Sequence, residues 1–205
     1  MKYTLTLTTI LMVTQPIRAD LRDNTATKIA TAVEQSLTLQ VPNPRRRVHV
    51  RHCRSARPGC LARVAALSQI LADAAITHGV DPFLLTAVAM KESGMNPFAL
   101  GQHGERGIIQ LNPRGVGSRV LFVTDRRFRQ QCARQVGACQ EEPVNEGATL
   151  LARSIERCDS VEEGLGMYNT GVCQITSYSA RVLSERLRLL HLVKGATMVS
   201  SVLTN

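Results

Sequence analysis

A carboxylate lies at the end of an apolar, helix-forming segment. Asp81 followed by Pro82 is typical of a helix N-cap and its first helical residue, and Gly94 is a natural stop signal. We therefore predict a helix over residues 82–92. Its side chains are almost all apolar before the last turn, which is the pattern of a helix buried in a core. Glu92 ends this helix and is therefore expected to emerge from the core.

Such a position favours a protonated carboxyl group. Desolvation raises a carboxyl pKa, and the negative end of the helix dipole acts in the same direction. Cleavage of a glycosidic bond needs a carboxylic acid that is still protonated near neutral pH. Glu92 is therefore a candidate acid catalyst, and the alternative is a solvated residue in the last helical turn.

A second carboxylate would decide the type of glycosidase. A retaining enzyme needs one about 5 Å from the acid, and an inverting enzyme needs one roughly 6.5 to 9.5 Å away. Glu105, in the loop Gly104–Gly107, is the candidate. We expect it to form an ion pair with a neighbouring arginine. If it instead reaches Glu92, hydrolysis becomes possible and its charge would raise the pKa of Glu92 further.

Regular structure along the chain is predicted to be helical. Apolar residues recur at helical spacing in several segments, and Ser160 with Glu163 forms a capping box. Glycine is frequent over residues 101–117, which we expect to form a loop. The run 120–123 is the strand candidate. We predict a mainly α fold with little or no sheet. The predicted helices span residues 26–39, 61–78, 82–92, 144–157, 160–168 and 177–193.

The 6 cysteines indicate disulfides rather than a metal site. An even count in an exported chain favours bridges, and short loops favour local ones, although other pairings stay open. The 5 histidines are scattered and no Cys-x-x-Cys pair occurs, so we expect no metal and no cofactor. The favoured pairs are Cys53–Cys60, Cys132–Cys139 and Cys158–Cys173.

The first 19 residues resemble a secretory signal peptide. Lys2 precedes an apolar, threonine-rich stretch, and Ile17-Arg18-Ala19 is similar to a cleavage site before Asp20. An uncleaved anchor or a disordered start is the alternative. We expect export across the inner membrane to a periplasmic or extracellular location.

The net charge of +9 comes from arginine, with a dense run over residues 45–57. A basic chain favours polyanionic partners. The run lacks interleaved aromatic residues and no nucleic-acid-binding motif follows it, so we expect no nucleic-acid partner. A cell wall that carries free carboxylates fits better, and a merely solvated run is the alternative.

Short motifs in a fixed order resemble the soluble lytic transglycosylase family, which has the goose-type lysozyme fold. The resemblance covers about residues 61–185, and each motif falls where a helix end or the glycine-rich loop is predicted. It implies cleavage of peptidoglycan between N-acetylmuramic acid and N-acetylglucosamine. The motifs are Glu92-Ser93, Gly107-Ile108-Ile109-Gln110 with Leu111 and Pro113, and Tyr168-Asn169 before a glycine.

The resemblance also implies roles for individual residues. Glu92 would protonate the glycosidic oxygen and then, as carboxylate, take the proton of the sugar's 6-hydroxyl, which closes a 1,6-anhydro ring. Ser93 would form a hydrogen bond near the acid, and Gly107 would permit close backbone approach. The remaining implied contacts are Gln110 lining the glycan cleft, and Tyr168 and Asn169 holding Glu92 and the N-acetyl group of the sugar.

The chain departs from the family pattern at several positions. Met167 replaces the usual small residue before Tyr168-Asn169, which would reshape the floor of the cleft. Asn145 lies two residues before Gly147 where four would be expected, so contacts to the glycan from that helix are in doubt. The chain has no tryptophan to stack on sugar rings, and charge would have to support binding.

The predicted organisation has one catalytic domain with flanking segments. We expect a signal peptide over residues 1–19, a basic N-terminal extension over 20–60, a lytic transglycosylase-like domain over 61–190 and a C-terminal tail over 191–205. We expect a monomer that binds peptidoglycan glycan strands, and docking to a secretion or conjugation machine is one hypothesis for the extension. The alternative functions are a lysozyme-type muramidase and a non-catalytic peptidoglycan-binding module.

Overall fold

The computed structural model describes residues 10–39, 60–132 and 137–203, and these residues are mainly helical. The part of the chain that is described contains no strand, only isolated β-bridges that join Arg106 to Leu100 and to Leu111. The predicted mainly α fold is confirmed. The elements are α1 (Ile10–Leu39), α2 (Cys60–His78), α3 (Pro82–Ser93), a 3-10 turn (Val116–Arg119), α4 (Leu121–Thr124), α5 (Arg126–Gln131), α6 (Ala138–Arg157), α7 (Val161–Thr170) and α8 (Ser177–Leu203).

Helix α3 begins and ends at the predicted signals. The Asp81 carboxylate accepts a hydrogen bond from the Leu84 amide at 2.8 Å, and Gly94 ends the helix in the left-handed region at φ +61°. All side chains from Leu84 to Met90 are buried. The prediction of a core helix that carries Glu92 in its last turn is confirmed.

The core lies around α3. This helix packs against α8, α2 and α1, and α6 joins the assembly through α2 and α7. The apolar side chains of α1, such as Ile29 and Val33, are fully buried in the same cluster as Leu67 and Leu85. Part of the segment assigned to a basic extension thus packs on the core, and the domain boundaries at residues 20, 61 and 191 stay predictions.

The run 120–123, the strand candidate, is not a strand. Leu121–Thr124 forms one helical turn instead. Leu121 is 52% exposed whereas Phe122 and Val123 are both buried. A strand would place Leu121 and Val123 on the same face, so this burial pattern suits a helical turn and not an extended chain.

Two of the predicted disulfides are present. Cys132–Cys139 joins the end of α5 to the start of α6, and Cys158–Cys173 joins the end of α6 to the segment after α7. The predicted partner of Cys60, Cys53, lies outside the described residues. Among the helices that are described, none is both long and apolar enough to cross a membrane.

Candidate active site

A cleft of about 760 Å³ opens beside the C-terminal end of α3. Its walls come from the glycine-rich loop on one side and from the C-terminal end of α7 on the other, with Leu150 of α6 between them. The predicted site residues that line this cleft are Glu92, Glu105, Gln110, Tyr168 and Asn169. Segments distant in sequence therefore meet around one carboxyl group.

Glu92 is half-buried at the edge of this cleft. Its Oε1 atom accepts a hydrogen bond of 2.6 Å from the hydroxyl group of Tyr178, at the start of α8. Burial raises the pKa of Glu92, the Tyr178 hydrogen bond lowers it, and the negative charge of Glu105 raises it, with a net increase. The carboxyl group can therefore hold its proton at a higher pH than an exposed glutamate.

Two tyrosines flank the acid, and the one that contacts it is not the one expected. The Tyr168 hydroxyl donates to the carbonyl oxygen of Ile109 at 3.3 Å, whereas Tyr178 contacts Glu92. Burial and the charge of Glu92 raise the pKa of both tyrosines, so both remain hydrogen-bond donors. The expectation that Tyr168 holds Glu92 directly is corrected: its hydroxyl supports the loop that forms the opposite wall.

Tyr178 was not among the predicted site residues. The sequence signal that could have found it is its place in the last predicted helix, the segment that also resembles the family. In a pattern of apolar residues at helical spacing, however, a tyrosine is read as core packing. Tyr178 is indeed 7% exposed, and only the folded structure shows where its hydroxyl points.

Ser93 links the helix of the acid to the glycine-rich loop. Its Oγ atom lies 2.9 Å from the carbonyl oxygen of Ile108 and 3.1 Å from that of Ala89. The hydroxyl can donate to either carbonyl. This contact fixes the distance between the end of α3 and the loop, and the predicted role of Ser93 in substrate binding stays a prediction.

Gln110 and Gly107 shape this loop. The Gln110 side-chain amide donates to the carbonyl oxygens of Ala99 at 3.2 Å and Gly107 at 2.9 Å. Since both donors serve the backbone, Oε1 is the atom that can accept a hydrogen bond from a sugar hydroxyl. Gly107 is buried with φ +85°, and a Cβ there would lie 3.0 Å from Oε1 of Gln140. A glycine is therefore required here by the turn and by the closeness of Gln140, and the predicted close approach of a ligand stays a prediction.

Gln140 is a second residue that the sequence did not reveal. It is fully buried in α6, and its Oε1 atom accepts a hydrogen bond of 3.1 Å from the amide of Ile108. A glutamine in an amphipathic helix is ordinarily read as facing solvent. Here it satisfies a buried amide of the loop and so holds the cleft wall against α6.

Glu105 lines the same cleft as Glu92, but its partner is a histidine. Oε2 accepts from the backbone amide of His103 at 2.9 Å, and Oε1 lies 3.4 Å from Nδ1 of the His103 ring. The predicted ion pair with an arginine was therefore wrong. Partial burial acts to raise the pKa of Glu105, but hydrogen bonds from the backbone amides of Glu105 and His103 and the charge of His103 lower it overall. The two cleft carboxyl groups thus have pKa values shifted in opposite directions.

The end of α7 supplies Asn169, which is exposed at the cleft. Met167 also lines the cleft, and its sulfur lies 3.5 Å from Sγ of Cys158 and 3.7 Å from Sγ of Cys173. The methionine thus packs against the Cys158–Cys173 disulfide. Asn145 does not line this cleft; its side chain contacts His78 at 3.1 Å.

The described residues contain no group of three or more His, Cys, Asp or Glu side chains placed to hold a metal ion. The polar groups that line the cleft are carboxyl, amide and hydroxyl groups, together with the guanidinium of Arg114 and the imidazole of His103. Such a set can bind sugar hydroxyl and acetamido groups and transfer a proton.

Comparison with known proteins agrees with this geometry. The family model of the transglycosylase SLT domain matches residues 69–186, which is more than half of the chain. No curated protein and no solved structure matches the chain. The matched region contains the cleft residues, Tyr178 and both described disulfides. The chain therefore belongs to the transglycosylase SLT family, whose lysozyme-like, all-α domain acts on peptidoglycan.

Proposed function

We propose that this protein is a peptidoglycan lytic transglycosylase that cleaves the β-1,4 bond between N-acetylmuramic acid and N-acetylglucosamine. The observation that carries the proposal is Glu92: a half-buried carboxyl group of raised pKa that opens into the cleft and accepts a hydrogen bond from Tyr178. One group of this kind can serve first as acid and then as base.

In the first step, the proton of the Glu92 carboxyl group passes to the glycosidic oxygen. The bond between that oxygen and C1 of the muramic acid then breaks, and the released sugar leaves as an alcohol. C1 is left with oxocarbenium character. Glu92 is now a carboxylate, which the Tyr178 hydroxyl stabilises from 2.6 Å.

In the second step, the 6-hydroxyl oxygen of the muramic acid attacks C1. Its proton returns to the Glu92 carboxylate, so the enzyme regains its starting state and no water is consumed. The cleft residues position the sugar for this step. We assign Oε1 of Gln110 and the Asn169 amide to hydroxyl and N-acetyl groups of the strand, on the basis of their place in the cleft.

A muramidase is the second candidate, and Glu105 is the observation that favours it. Its carboxylate lines the same cleft and its pKa is lowered, so it is ionised when Glu92 is still protonated. An ionised carboxylate in that place could activate a water molecule or stabilise C1. The third candidate is a non-catalytic module that keeps the fold and only binds the glycan of the cell wall.

The products decide between these candidates. Purified peptidoglycan is incubated with the protein, and the masses of the soluble fragments are measured by mass spectrometry. Fragments one water lighter than the hydrolytic muropeptides support the lytic transglycosylase. Reducing-end fragments support the muramidase instead, and no release with binding retained supports the wall-binding module.

We propose that residues 1–19 are removed on export, that the mature protein works as a monomer in the periplasm or outside the cell, and that it serves a secretion or conjugation machine. An N-terminus at Asp20 in the exported protein and a monomeric mass in light scattering would support the first two. Normal machine function in a strain that lacks the protein would overturn the third.

A further inference from the structure

A second cavity, of about 250 Å³, lies beside the glycine-rich loop and is separate from the cleft. We call it the arginine pocket because three guanidinium groups surround it. Arg106 comes from the loop, and the other two come from α5. The lining residues are Phe98, Arg106, Phe122, Arg126, Arg129 and Gln130.

The positive charge of the three arginines in the pocket exceeds the negative charge beside them. Among the ion pairs of the described residues, none involves Arg106, Arg126 or Arg129. Asp125 attracts Arg129, but its Oδ1 atom accepts from backbone amides at the start of α5. Burial and then the charge of Arg106 lower the pKa of Arg129, which indicates cations held close together.

The pocket is also held in shape. Nη1 of Arg129 donates to the carbonyl oxygens of Phe122 at 2.9 Å and Val123 at 2.8 Å. A guanidinium has five N–H donors, so the other nitrogens of Arg129 can still face a ligand. The ring of Phe98 is exposed and forms an apolar wall, and the buried ring of Phe122 lies behind it at 6.0 Å between centroids. The pocket thus combines fixed cationic donors with an apolar surface.

A single loop separates the arginine pocket from the cleft. Glu105 lines the cleft, and the next residue, Arg106, lines the pocket. Backbone bridges join Arg106 to Leu100 and to Leu111, so the chain is extended here. Successive side chains of an extended chain point to opposite faces. The pocket is therefore on the reverse face of the loop that forms one wall of the cleft.

We propose that the arginine pocket binds the free carboxylates of the peptide stems on the glycan strand that occupies the cleft, an inference that rests on the proposed function. The stems are short peptides with alanine methyl groups and ionised carboxylates. A stem of about four residues spans roughly 13 Å when extended, and a single loop separates the cleft from the arginine pocket. Arginine binds carboxylates through paired N–H donors, and the exposed ring of Phe98 offers contact to the methyl groups.

The test is co-sedimentation of the full chain with peptidoglycan sacculi. One sample of sacculi is intact, and the other has been stripped of its stems by an amidase. Every protein in this arm carries Glu92→Gln, so that the sacculi are not digested during the assay. The pocket variant combines Arg106→Gln with Arg126→Gln. Arg129 is kept because it supports the backbone.

A matched control removes the same charge outside the pocket. Arg119→Gln with Arg127→Gln changes two exposed side chains that line neither cavity, one of them in the same helix as Arg126. We expect the pocket variant to bind intact sacculi about three- to tenfold more weakly than the control, since each exposed ion pair contributes little by itself. On stripped sacculi the two should bind alike. Raising the salt should narrow the difference on intact sacculi.

Two results would overturn the proposed role of the arginine pocket. One is equal binding of the pocket variant and the control to intact sacculi. The other is a loss of binding by the pocket variant that is as large on stripped sacculi as on intact ones. The second would mean that the pocket serves another anion. Fragment release, measured separately with Glu92 present, keeps the two proposals apart. If the protein releases anhydro fragments but the pocket variant shows no stem-dependent loss of binding, the proposed function is supported and stem binding by the pocket is rejected. If the pocket variant shows a stem-dependent loss of binding but no fragments are released, stem binding is supported and the lytic activity is rejected.

Discussion

Tyr178 donates a hydrogen bond of 2.6 Å to Glu92 across 86 residues of sequence, and thereby joins the start of α8 to the end of α3. The same two helices are joined a second time, because Nζ of Lys91 lies 3.0 Å from Oε2 of Glu185. Glu185 is 4% exposed and also pairs with Arg188. These contacts fix the register of α8 on α3, so the tyrosine hydroxyl is held at the acid by the packing of the core.

Tyr178→Phe should slow the reaction and shift its pH dependence. The lost hydrogen bond stabilises the carboxylate form, so the pKa of Glu92 should rise further. Activity that needs protonated Glu92 is lost as pH rises through this pKa. The alkaline limb of the pH–activity profile should therefore move to higher pH. A hydrogen bond to a charged group contributes about 1.5–3 kcal/mol, so kcat should fall roughly 10- to 100-fold.

The pH profile of kcat checks this expectation. Tyr168→Phe is the matched comparison, because the hydroxyl of Tyr168 donates to Ile109 and not to Glu92. Its alkaline limb should stay in place. An unmoved limb in Tyr178→Phe would contradict the role given to the 2.6 Å contact.

Glu105→Gln should move the same limb in the opposite direction. The charge of Glu105 raises the pKa of Glu92, so its removal lowers that pKa and activity is lost at a lower pH. If Glu92 alone acts as acid and base, anhydro fragments remain the main product. Loss of all turnover, or a product that was hydrolytic before the change and vanishes with it, would show that Glu105 takes part in the chemistry.

Gln140→Met should destabilise the protein while keeping the volume of the side chain. The buried amide of Ile108 then loses its acceptor, which costs about 1–3 kcal/mol of unfolding free energy, and removal of the buried, unpartnered Nε2 of Gln140 offsets part of this cost. Urea unfolding gives the value. Gln131→Met, at an exposed position, should change stability by less than about 0.5 kcal/mol. Similar values for the two variants would mean that the Gln140 contact does not hold the loop.

Removal of the Cys158–Cys173 disulfide should cost more stability than removal of Cys132–Cys139. The first spans 15 residues and the second spans 7, and a longer loop loses more entropy in the unfolded chain when it is closed. For the longer loop we expect a loss of about 3 kcal/mol on substituting both cysteines by alanine. Chemical denaturation compares the two double variants. The reverse order would show that strain or local packing, and not loop length, decides.

The sequence was sufficient for the features that depend on neighbours along the chain. The caps of α3, its apolar surface and the position of Glu92 follow from Asp81, Pro82 and Gly94. The identity of the carboxylate's partner did not follow, because Tyr168 and Tyr178 both occur in helical patterns and only packing selects between their hydroxyl groups. Periodicity can show that a side chain is buried, but not which polar atom it meets.

Other differences between the predicted and the observed contacts have the same origin. Gln140 satisfies a loop amide that is 32 residues away in the chain, and a short-range pattern cannot indicate such a partner. The ion pair expected for Glu105 assumed that sequence neighbours meet, whereas the extended backbone at Arg106 turns the arginine to the opposite face. Val120–Val123 has strand-forming residues, but burial of consecutive side chains required a helical turn.

The pH dependence of stability shows whether the Glu92→Gln variant is correctly folded. The pKa of Glu92 is raised in the folded protein, so between the unfolded and folded pKa values the folded state binds more protons. The contribution of Glu92 to stability therefore declines as pH rises through the folded pKa. Above it, Glu92→Gln should be at least as stable as the wild type, and thermal unfolding at several pH values checks this.

The central claim, that Glu92 carries the reaction, is tested most directly by fragment release from purified peptidoglycan by Glu92→Gln. Glu146→Gln, at an exposed position outside the cleft, is the charge-matched control. We expect Glu92→Gln to release anhydro fragments at least about 100-fold more slowly, the lower end of what a general acid and base contributes, while Glu146→Gln matches the wild type. Release by a folded Glu92→Gln protein at the wild-type rate would contradict the account.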